Sequence, residues 1–202
     1  MKQVERKPAA VRKREIAEAA MCICGTRGAS SLTTATIAEA VGVSTGALFR
    51  HFRTLEDVLH EAAVVAIEKM EKTFPPSQSP PADRLLELAR ARVELLGGDA
   101  GLAWMLSSEE ARLKLPKDAV AELAKLVTKS KQFIMKALKQ GQQDGSIRDD
   151  IAPDALIVCV LGTIHALIGM GGIRGNKKRT TRNVKTETVL QGLRVMLTQQ
   201  AL

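Results

Sequence analysis

The sequence predicts an all-α protein of about nine helices. Aromatic residues are rare, with one Trp, four Phe and no Tyr, and the β-branched runs that would mark strands are nearly absent. Ala, Leu, Glu and Lys, which favour helix, are abundant. Apolar residues recur with a helical period between breaks rich in Gly and Pro. A sheet-based fold is therefore excluded for this 202-residue chain, and its 45% apolar content excludes wholesale disorder.

Capping residues and helix breakers place the individual helices. Gly42 ends the second helix, and Ser44 is a suitable N-cap for the third. Four prolines within residues 74–81 cannot be helical and separate two regions of the chain. In the second helix Thr36 and Glu39 match a capping box, with Thr33 or Thr34 as alternative N-caps. The helices are predicted over about residues 10–24, 35–41, 45–51, 55–73, 83–97, 102–114, 117–143, 153–170 and 186–200.

Charge is unevenly distributed along the chain. Residues 1–55 carry nine basic and four acidic side chains, whereas residues 56–173 carry 14 basic and 17 acidic ones. Residues 174–202 are basic again, with seven cations and one acid. A basic N-terminal quarter beside an acidic middle indicates a polyanion-binding end, with nucleic acid ahead of a membrane surface. We expect two domains, residues 1–55 and residues 56–202.

Residues 33–52 carry the pattern of a helix-turn-helix. Two short helices are joined by Gly42-Val43-Ser44, a turn of the length and composition that this motif uses. An ordinary helical hairpin has the same spacing, but the basic charge around this one favours a DNA-binding role. The residues expected to face inward are Ile37, Ala38, Val41, Val43, Leu48 and Phe52. The residues expected to face outward on the third helix are Thr45, Gly46, Ala47, Arg50 and His51.

The stretch from Glu15 to Leu59 resembles the DNA-binding domain of Tet repressor (TetR) family transcriptional regulators. The resemblance lies in an ordered series of short motifs within REIAEAAMCICGTRGASSLTTATIAEAVGVSTGALFRHFRTLEDVL. It covers about 45 residues, and the rest of the chain matches the family only in its helical layout. It implies a dimeric, ligand-responsive DNA-binding regulator, most often a repressor, that binds a pseudo-palindromic operator.

The resemblance also implies roles for individual residues. Thr34 would bond a phosphate, and the start of the third helix would face bases with Ser44, Thr45, Gly46 and Ala47. Further DNA contacts are expected from Phe49, Arg50, His51 and Arg53. A basic arm before helix 1 would be disordered without DNA and follow phosphates or the minor groove, a solvated tail being the alternative. Its cations are Lys2, Arg6, Lys7, Arg12, Lys13 and Arg14.

Three positions depart from the family pattern. Phe49 stands where a Tyr commonly bonds a phosphate, and Leu55 stands where a Lys commonly does the same. Cys24 stands where a large aromatic residue is common. Two phosphate contacts are therefore expected to be lost, with Arg50, Arg53 and the arm as possible replacements.

The remaining residues are expected to form a ligand-binding and dimerisation domain, as the resemblance implies. Candidate ligand contacts are Trp104, Met105, Phe133, Met135 and His165, with core packing as the alternative for each. An apolar effector fits this set better than a sugar or a nucleotide. The last two helices would pair with those of a second subunit through Gly162, Ala166, Gly169, Val189, Leu193 and Met196.

Other functional classes find less support. Residues 155–173 are just long enough to span a bilayer, but four glycines make a buried helix the better interpretation. No P-loop, GxSxG or plausible catalytic triad indicates an enzyme. The odd cysteine count and the absence of a signal peptide predict a reduced, cytoplasmic protein with no metal or cofactor. An architectural protein that binds DNA without sequence preference remains an alternative, as does a membrane-associated protein with a helix-turn-helix head. The basic stretch 174–185 is expected to be a solvated loop.

Overall fold

The structure is a computed structural model that describes residues 8–169 and 185–198. Within these residues every regular element is helical, as the composition predicts. Ten α-helices follow one another, with a 3₁₀ turn at Ala29–Ser31 after the first. They are α1 (Ala9–Arg27), α2 (Thr34–Val41), α3 (Thr45–Leu48), α4 (Leu55–Glu71), α5 (Pro81–Gly98), α6 (Ala100–Ser107), α7 (Glu109–Lys114), α8 (Lys117–Gln143), α9 (Pro153–Leu167) and α10 (Thr186–Thr198).

Most helix bounds agree with the sequence within a few residues, and one predicted helix is divided. The segment 102–114 forms α6 and α7 because Ser108 has an extended backbone, with φ −91° and ψ 131°. Its hydroxyl accepts a hydrogen bond from the N–H of Glu110 at 3.1 Å and so begins a new helix. Pro153 occupies the first turn of α9, where its missing N–H costs no hydrogen bond.

The described residues form two compact units. Unit 1 contains the residues up to Lys69 together with Asp99–Lys125, and unit 2 contains Met70–Gly98 together with the residues from Leu126 onward. Helices α4 and α8 contribute residues to both units. Unit 1 thus takes α6 and α7 from the part of the chain that lies far beyond the helix-turn-helix in sequence.

In unit 1, α1 and α6 cross at two glycines. A Cβ atom added to Gly101 would lie 2.5 Å from the carbonyl carbon of Met21 and 2.6 Å from its oxygen. A Cβ atom added to Gly25 would overlap the carbonyl of Ala100. The two backbones therefore touch directly, which only residues without a Cβ allow. Lys69 supports the crossing, since its ammonium lies 3.0 Å from Asp99, the N-cap of α6, and 3.4 Å from Glu18 of α1.

Unit 2 has its own aliphatic core, built from α5, α9, α10 and the C-terminal part of α8. Its largest fully buried side chains include Leu85, Ile134, Leu138, Leu156 and Leu190. Two ion pairs join α5 to α10 at the surface, Arg90 with Glu187 at 2.7 Å and Arg194 with Asp83. No helix within the described residues has the length and apolar character needed to cross a bilayer. Residues 170–173 of the apolar stretch and residues 174–184 of the basic stretch lie outside the described residues.

The crossing of α1 and α6 leads to a stability test. Gly101→Ala is expected to lower the free energy of unfolding of unit 1 by about 1–3 kcal/mol, because its methyl group would meet rigid backbone. Trp104, the sole Trp, lies in α6 and reports unfolding of this unit by its fluorescence during a urea titration. Gly97→Ala is the control, because a Cβ there meets nothing within 4 Å. Equal unfolding midpoints for the two variants would contradict the importance of the crossing.

Candidate functional site

The helix-turn-helix has the local geometry that the sequence predicts. Gly42 ends α2 in the left-handed conformation, with φ 72° and ψ 39°, which a residue without a Cβ adopts readily. The hydroxyl of Ser44 caps α3 by accepting the N–H of Ala47 at 3.1 Å. The N-cap of α2 is Thr33, whose capping box uses the hydroxyl of Thr36. The match of Thr36 with Glu39 was thus wrong, because Thr36 serves as the third helical residue of that box.

The inward set also agrees with the prediction. Ile37, Ala38, Leu48 and Phe52 are buried in one cluster, and α1 and Val58 of α4 complete it. Val41, Val43 and Leu55 pack against this cluster while partly buried. Leu55 therefore covers the core of the motif with an apolar side chain at the position where the family commonly has a Lys.

The outward set forms one continuous surface at the C-terminal end of the motif. Ser44, Thr45 and Gly46 are exposed, whereas Ala47 is half-buried. The chain turns at the end of α3, where the N–H of His51 donates to the carbonyl of Leu48 at 2.9 Å. The α-helix thus ends at Leu48, earlier than predicted, and only turns follow. Phe49 is 51% exposed. Arg50 and Arg53 are exposed as well, and His51 and Thr34 are half-buried.

The side chain of Arg50 is available to bind an anion. Within the described part of the chain its guanidinium forms no hydrogen bond or ion pair, so binding an anion would break no existing interaction. His51 likewise forms no ion pair there. The surface from Ser44 to Arg53 thus combines short side chains at its start with cations at its end, which suits contact with base edges and phosphates.

The predicted basic arm is partly helical. Arg12, Lys13 and Arg14 lie in α1 rather than before it, so the expectation of disorder was wrong for them. Arg12 pairs with Glu15 at 2.9 Å and Arg14 with Glu68 at 2.5 Å. The ammonium of Lys13 lies 5.6 Å from the ring centroid of Phe52. Lys2, Arg6 and Lys7 lie outside the described residues.

The two neighbouring cysteines of α1 point to different faces, as expected. Cys22 is exposed and Cys24 is buried in the core of unit 1. Burial raises the pKa of the Cys24 thiol to about 11, so this thiol is neutral near pH 7 and behaves as a small apolar side chain.

The five candidate ligand residues do not form one group. Trp104 and Met105 are buried in unit 1, where the indole N–H donates to Glu110 at 2.9 Å. Phe133, Met135 and His165 belong to unit 2. Phe133 packs against Phe74 with ring centroids 5.2 Å apart, and His165 is exposed on α9. Met135 lines an open groove of about 890 Å³ between α8 and α9.

Some of the candidate interface residues are exposed, and others are half-buried or packed in the core of unit 2. Gly162, Ala166 and Gly169 are exposed on and just after α9, whereas Val189 and Met196 of α10 are half-buried. Leu193 is 4% exposed and packs in the core of unit 2. Its side chain therefore faces its own subunit, because Leu190, Leu193 and Leu197 share the inner side of α10.

The family follows from comparison with known proteins. Residues 16–62 match the family described as bacterial regulatory proteins, tetR family. Over 135 residues the chain is 31% identical to the HTH-type transcriptional repressor DhaR of Mycobacterium sp. (strain GP1), a match covering 64% of this chain and 67% of DhaR. The chain belongs to the TetR family. It is thus a TetR-family transcriptional regulator with a helix-turn-helix, as the sequence indicated.

Solved structures share the fold of this TetR-family chain. AibR in complex with isovaleryl coenzyme A and operator DNA superposes with a TM-score of 0.71 at 22% identity, over 93% of this chain and 98% of AibR. The ketosteroid regulator KstR2 of Mycobacterium tuberculosis gives a TM-score of 0.74 at 20% identity, over 98% of both chains. At this identity the likeness concerns the fold alone.

Glu110 stabilises the turn that precedes the helix-turn-helix, a role that the sequence did not indicate. Its carboxylate accepts the indole N–H of Trp104 and also the backbone N–H of Ala29, at 3.2 Å, at the turn after α1. These hydrogen bonds lower the pKa of Glu110 below its usual value. Since Ala29 and Glu110 are 81 residues apart, no local pattern in the sequence indicates this contact.

Arg92 was also missed, and it joins three segments of unit 2. It is only 8% exposed. Its Nε donates to Thr73 Oγ1 at 2.6 Å, just beyond α4, and its Nη2 donates to Ser130 Oγ of α8 at 3.1 Å. The guanidinium also lies 5.1 Å from the ring centroid of Phe74. Burial lowers the pKa of Arg92 to about 10, and the side chain stays charged near pH 7.

The start of α4 provides a pH-dependent test. The carboxylate of Asp57 accepts the backbone N–H groups of Thr54 and Arg53 at 3.0 and 3.1 Å, which holds the pKa of Asp57 below its ordinary value of 3.8. The resulting stability is present above the unfolded-state pKa and is lost as the pH falls through the lowered folded-state pKa. Asp57→Ala should therefore lower the melting temperature at pH 7, and the difference from wild type should shrink in acid.

Asp57→Asn is the matched control, because its amide oxygen can still accept hydrogen bonds but carries no charge. This variant should lie between wild type and Asp57→Ala at pH 7. A difference between wild type and Asp57→Ala that stays constant from pH 7 to below pH 3.8 would contradict the role of the charge. Thermal denaturation followed by circular dichroism measures all three proteins.

Proposed function

We propose that this TetR-family regulator is a ligand-responsive repressor that binds a pseudo-palindromic operator as a homodimer. The observation that carries the proposal is the exposed surface from Ser44 to Arg53, which a capped and packed helix-turn-helix presents to solvent. In such motifs the second helix enters the major groove, and its first residues meet base edges. The curated relative DhaR is itself named a transcriptional repressor.

The proposed DNA contacts differ along the surface from Ser44 to Arg53. Ser44, Thr45, Gly46 and Ala47 would lie nearest to the bases, and Arg50 would bond a guanine or a phosphate. Phosphate contacts are proposed for Thr34, His51, Arg53, Arg12 and Lys13. Arg12 would have to leave its ion pair with Glu15 to do so, whereas Arg50 has no ion pair to break among the described residues.

Binding to DNA fragments at several salt concentrations tests the proposal. Fluorescence anisotropy should detect tight, sequence-selective binding whose affinity falls steeply with salt, since bound phosphates release counterions. Arg50→Ala should weaken binding and, if Arg50 contacts a phosphate, reduce the salt slope by about 1. Lys72→Ala is the control, because it removes an exposed cation of unit 2 without touching the helix-turn-helix or the groove between α8 and α9. Weak binding that is equal for all fragments would support the architectural alternative instead.

The homodimer is supported by exposed residues of the last two described helices, the α9–α10 strip: Val158, Gly162, Ala166, Gly192 and Val195. Val158 also lines the groove between α8 and α9. Val158 is 66% exposed, and a Cβ atom on Gly162 or Gly192 would meet nothing within 4 Å. The strip is apolar, and its small residues would let a second backbone approach closely. A two-fold dimer would place two recognition helices about 34 Å apart, one turn of DNA.

Gly162→Glu tests this assembly. A carboxylate at the centre of the α9–α10 strip should produce a monomer, because it would have to be desolvated in the interface. Operator affinity should then fall by about 10²-fold or more, since the two half-sites would no longer be bound together. Sedimentation equilibrium measures the assembly state and anisotropy the affinity. Val127→Glu, at another exposed apolar position, should remain dimeric; a dimeric Gly162→Glu variant would place the interface elsewhere.

A largely apolar effector is supported by the groove between α8 and α9. Its apolar lining includes Met135, Ile157 and Leu161, and Lys131, Lys136 and Lys139 line it as well. KstR2, which shares the fold, is named for ketosteroids, which are apolar. AibR was solved in complex with isovaleryl coenzyme A, which joins a short acyl chain to a charged nucleotide, together with operator DNA. Because α4 and α8 contribute to both units, an effector bound in unit 2 would shift α4 and change the separation of the recognition helices. A ligand that binds tightly but leaves operator affinity unchanged would contradict this mechanism.

A further inference from the structure

The exposed surface of α3 and the turn after it includes a phenyl ring, Phe49, beside the short side chains of Thr45 and Gly46. The N–H of Phe49 donates to the carbonyl of Thr45 at 3.2 Å, which places the two residues one helical turn apart. Side chains four residues apart on a helix lie on the same side. The methyl of Thr45 and the ring of Phe49 therefore form one row. Both residues are exposed, Phe49 by 51%.

Gly46 leaves open space beside this row. A Cβ atom added there would meet only the hydroxyl of Ser44, at 4.0 Å. No long hydrogen-bond donor stands between Thr45 and Phe49, and Arg50 lies in the neighbouring row, four residues after Gly46. The backbone at Gly46 can thus approach a base edge closely, bringing the Thr45–Phe49 row into van der Waals range of the groove floor.

Phe49 lies outside both core clusters of the described residues. Phe52, three residues later, fills the core of the motif and is buried, whereas Phe49 is not part of that core. An exposed ring gains nothing from the hydrophobic effect until a partner covers it. Because a phenyl ring cannot donate a hydrogen bond to a phosphate, the contact that it would make on DNA is an apolar one.

In the major groove the apolar group of a base pair is the C5-methyl of thymine. Thr methyl groups and Phe rings are among the side-chain groups that contact it. We infer that Phe49, together with Thr45, reads a thymine methyl in each half-site of the operator. The inference rests on the proposed DNA binding, and it makes Phe49 a specificity-determining residue rather than a position where a phosphate contact is merely lost.

Replacing thymine by uracil tests the inference, because uracil lacks only the methyl group. A tight-binding operator is first selected from a random DNA library with the wild-type protein. Each thymine is then replaced by deoxyuridine, in both half-sites at once, and affinity is measured by anisotropy at one salt concentration. At one position the replacement should weaken binding by about fourfold per half-site, the value expected for one buried methyl group.

Protein variants test whether the loss of affinity caused by uracil depends on the side chain of Phe49. Phe49→Ala, a change at an exposed position, should abolish the uracil penalty at that thymine, so that both operators bind alike. It should leave the salt slope unchanged because no phosphate contact is removed. Arg50→Ala is the comparison: it should weaken binding and retain the uracil penalty.

The outcomes separate this inference from the proposed function. A selection that yields no preferred sequence would contradict sequence-specific DNA binding itself. A tight operator in which no uracil replacement matters would overturn methyl reading alone. A uracil penalty that persists unchanged in Phe49→Ala would also overturn the role of Phe49. Loss of affinity in Phe49→Ala without any uracil penalty would place the ring on the sugar-phosphate backbone instead, and would overturn the inference as well.

Discussion

The direct backbone contact between α1 and α6 is the constraint on which unit 1 depends. Gly25 and Gly101 leave no room for a Cβ atom, so the two helices touch along their main chains. The contact brings residues 99–125 into the same compact unit as the helix-turn-helix. Glu110 reinforces it by joining α7 to the turn after α1 through Ala29. Unit 1 thus includes residues 99–125 as well as the helix-turn-helix.

The structure gives a physical explanation for the three positions that depart from the family pattern. Leu55 covers the core of the motif, and Cys24 fills a buried position as a neutral thiol, so both contribute to packing. Phe49 is different because it remains exposed next to Arg50, which is exposed as well. A surface built from a methyl, a bare glycine and a phenyl ring selects by shape and apolar contact more than by hydrogen bonding.

In unit 2, the last two described helices, α9 and α10, each have one side in the core and an opposite side that is exposed. Leu190, Leu193 and Leu197 turn inward and complete the core with α5 and α9. The opposite side carries small and β-branched residues that leave open space at Gly162 and Gly192. A helix that is apolar on both sides is typical of an element buried between its own core and a second subunit. The same double-sided character made residues 155–173 resemble a membrane span in sequence.

The sequence by itself determined the local features: the helices, their caps and breaks, the inward face of the helix-turn-helix and the family. These depend on residues within a few positions of one another, through helical period and turn chemistry. It did not determine that residues 102–114 form two helices or that Leu193 faces inward.

Only the tertiary structure decided which distant residues meet. Trp104 belongs with Glu110 and Ala29 rather than with Phe133, and Arg92 joins Thr73 to Ser130. Such contacts depend on how helices far apart in sequence pack against each other, because periodicity fixes which face of a helix is apolar but not which helix covers it.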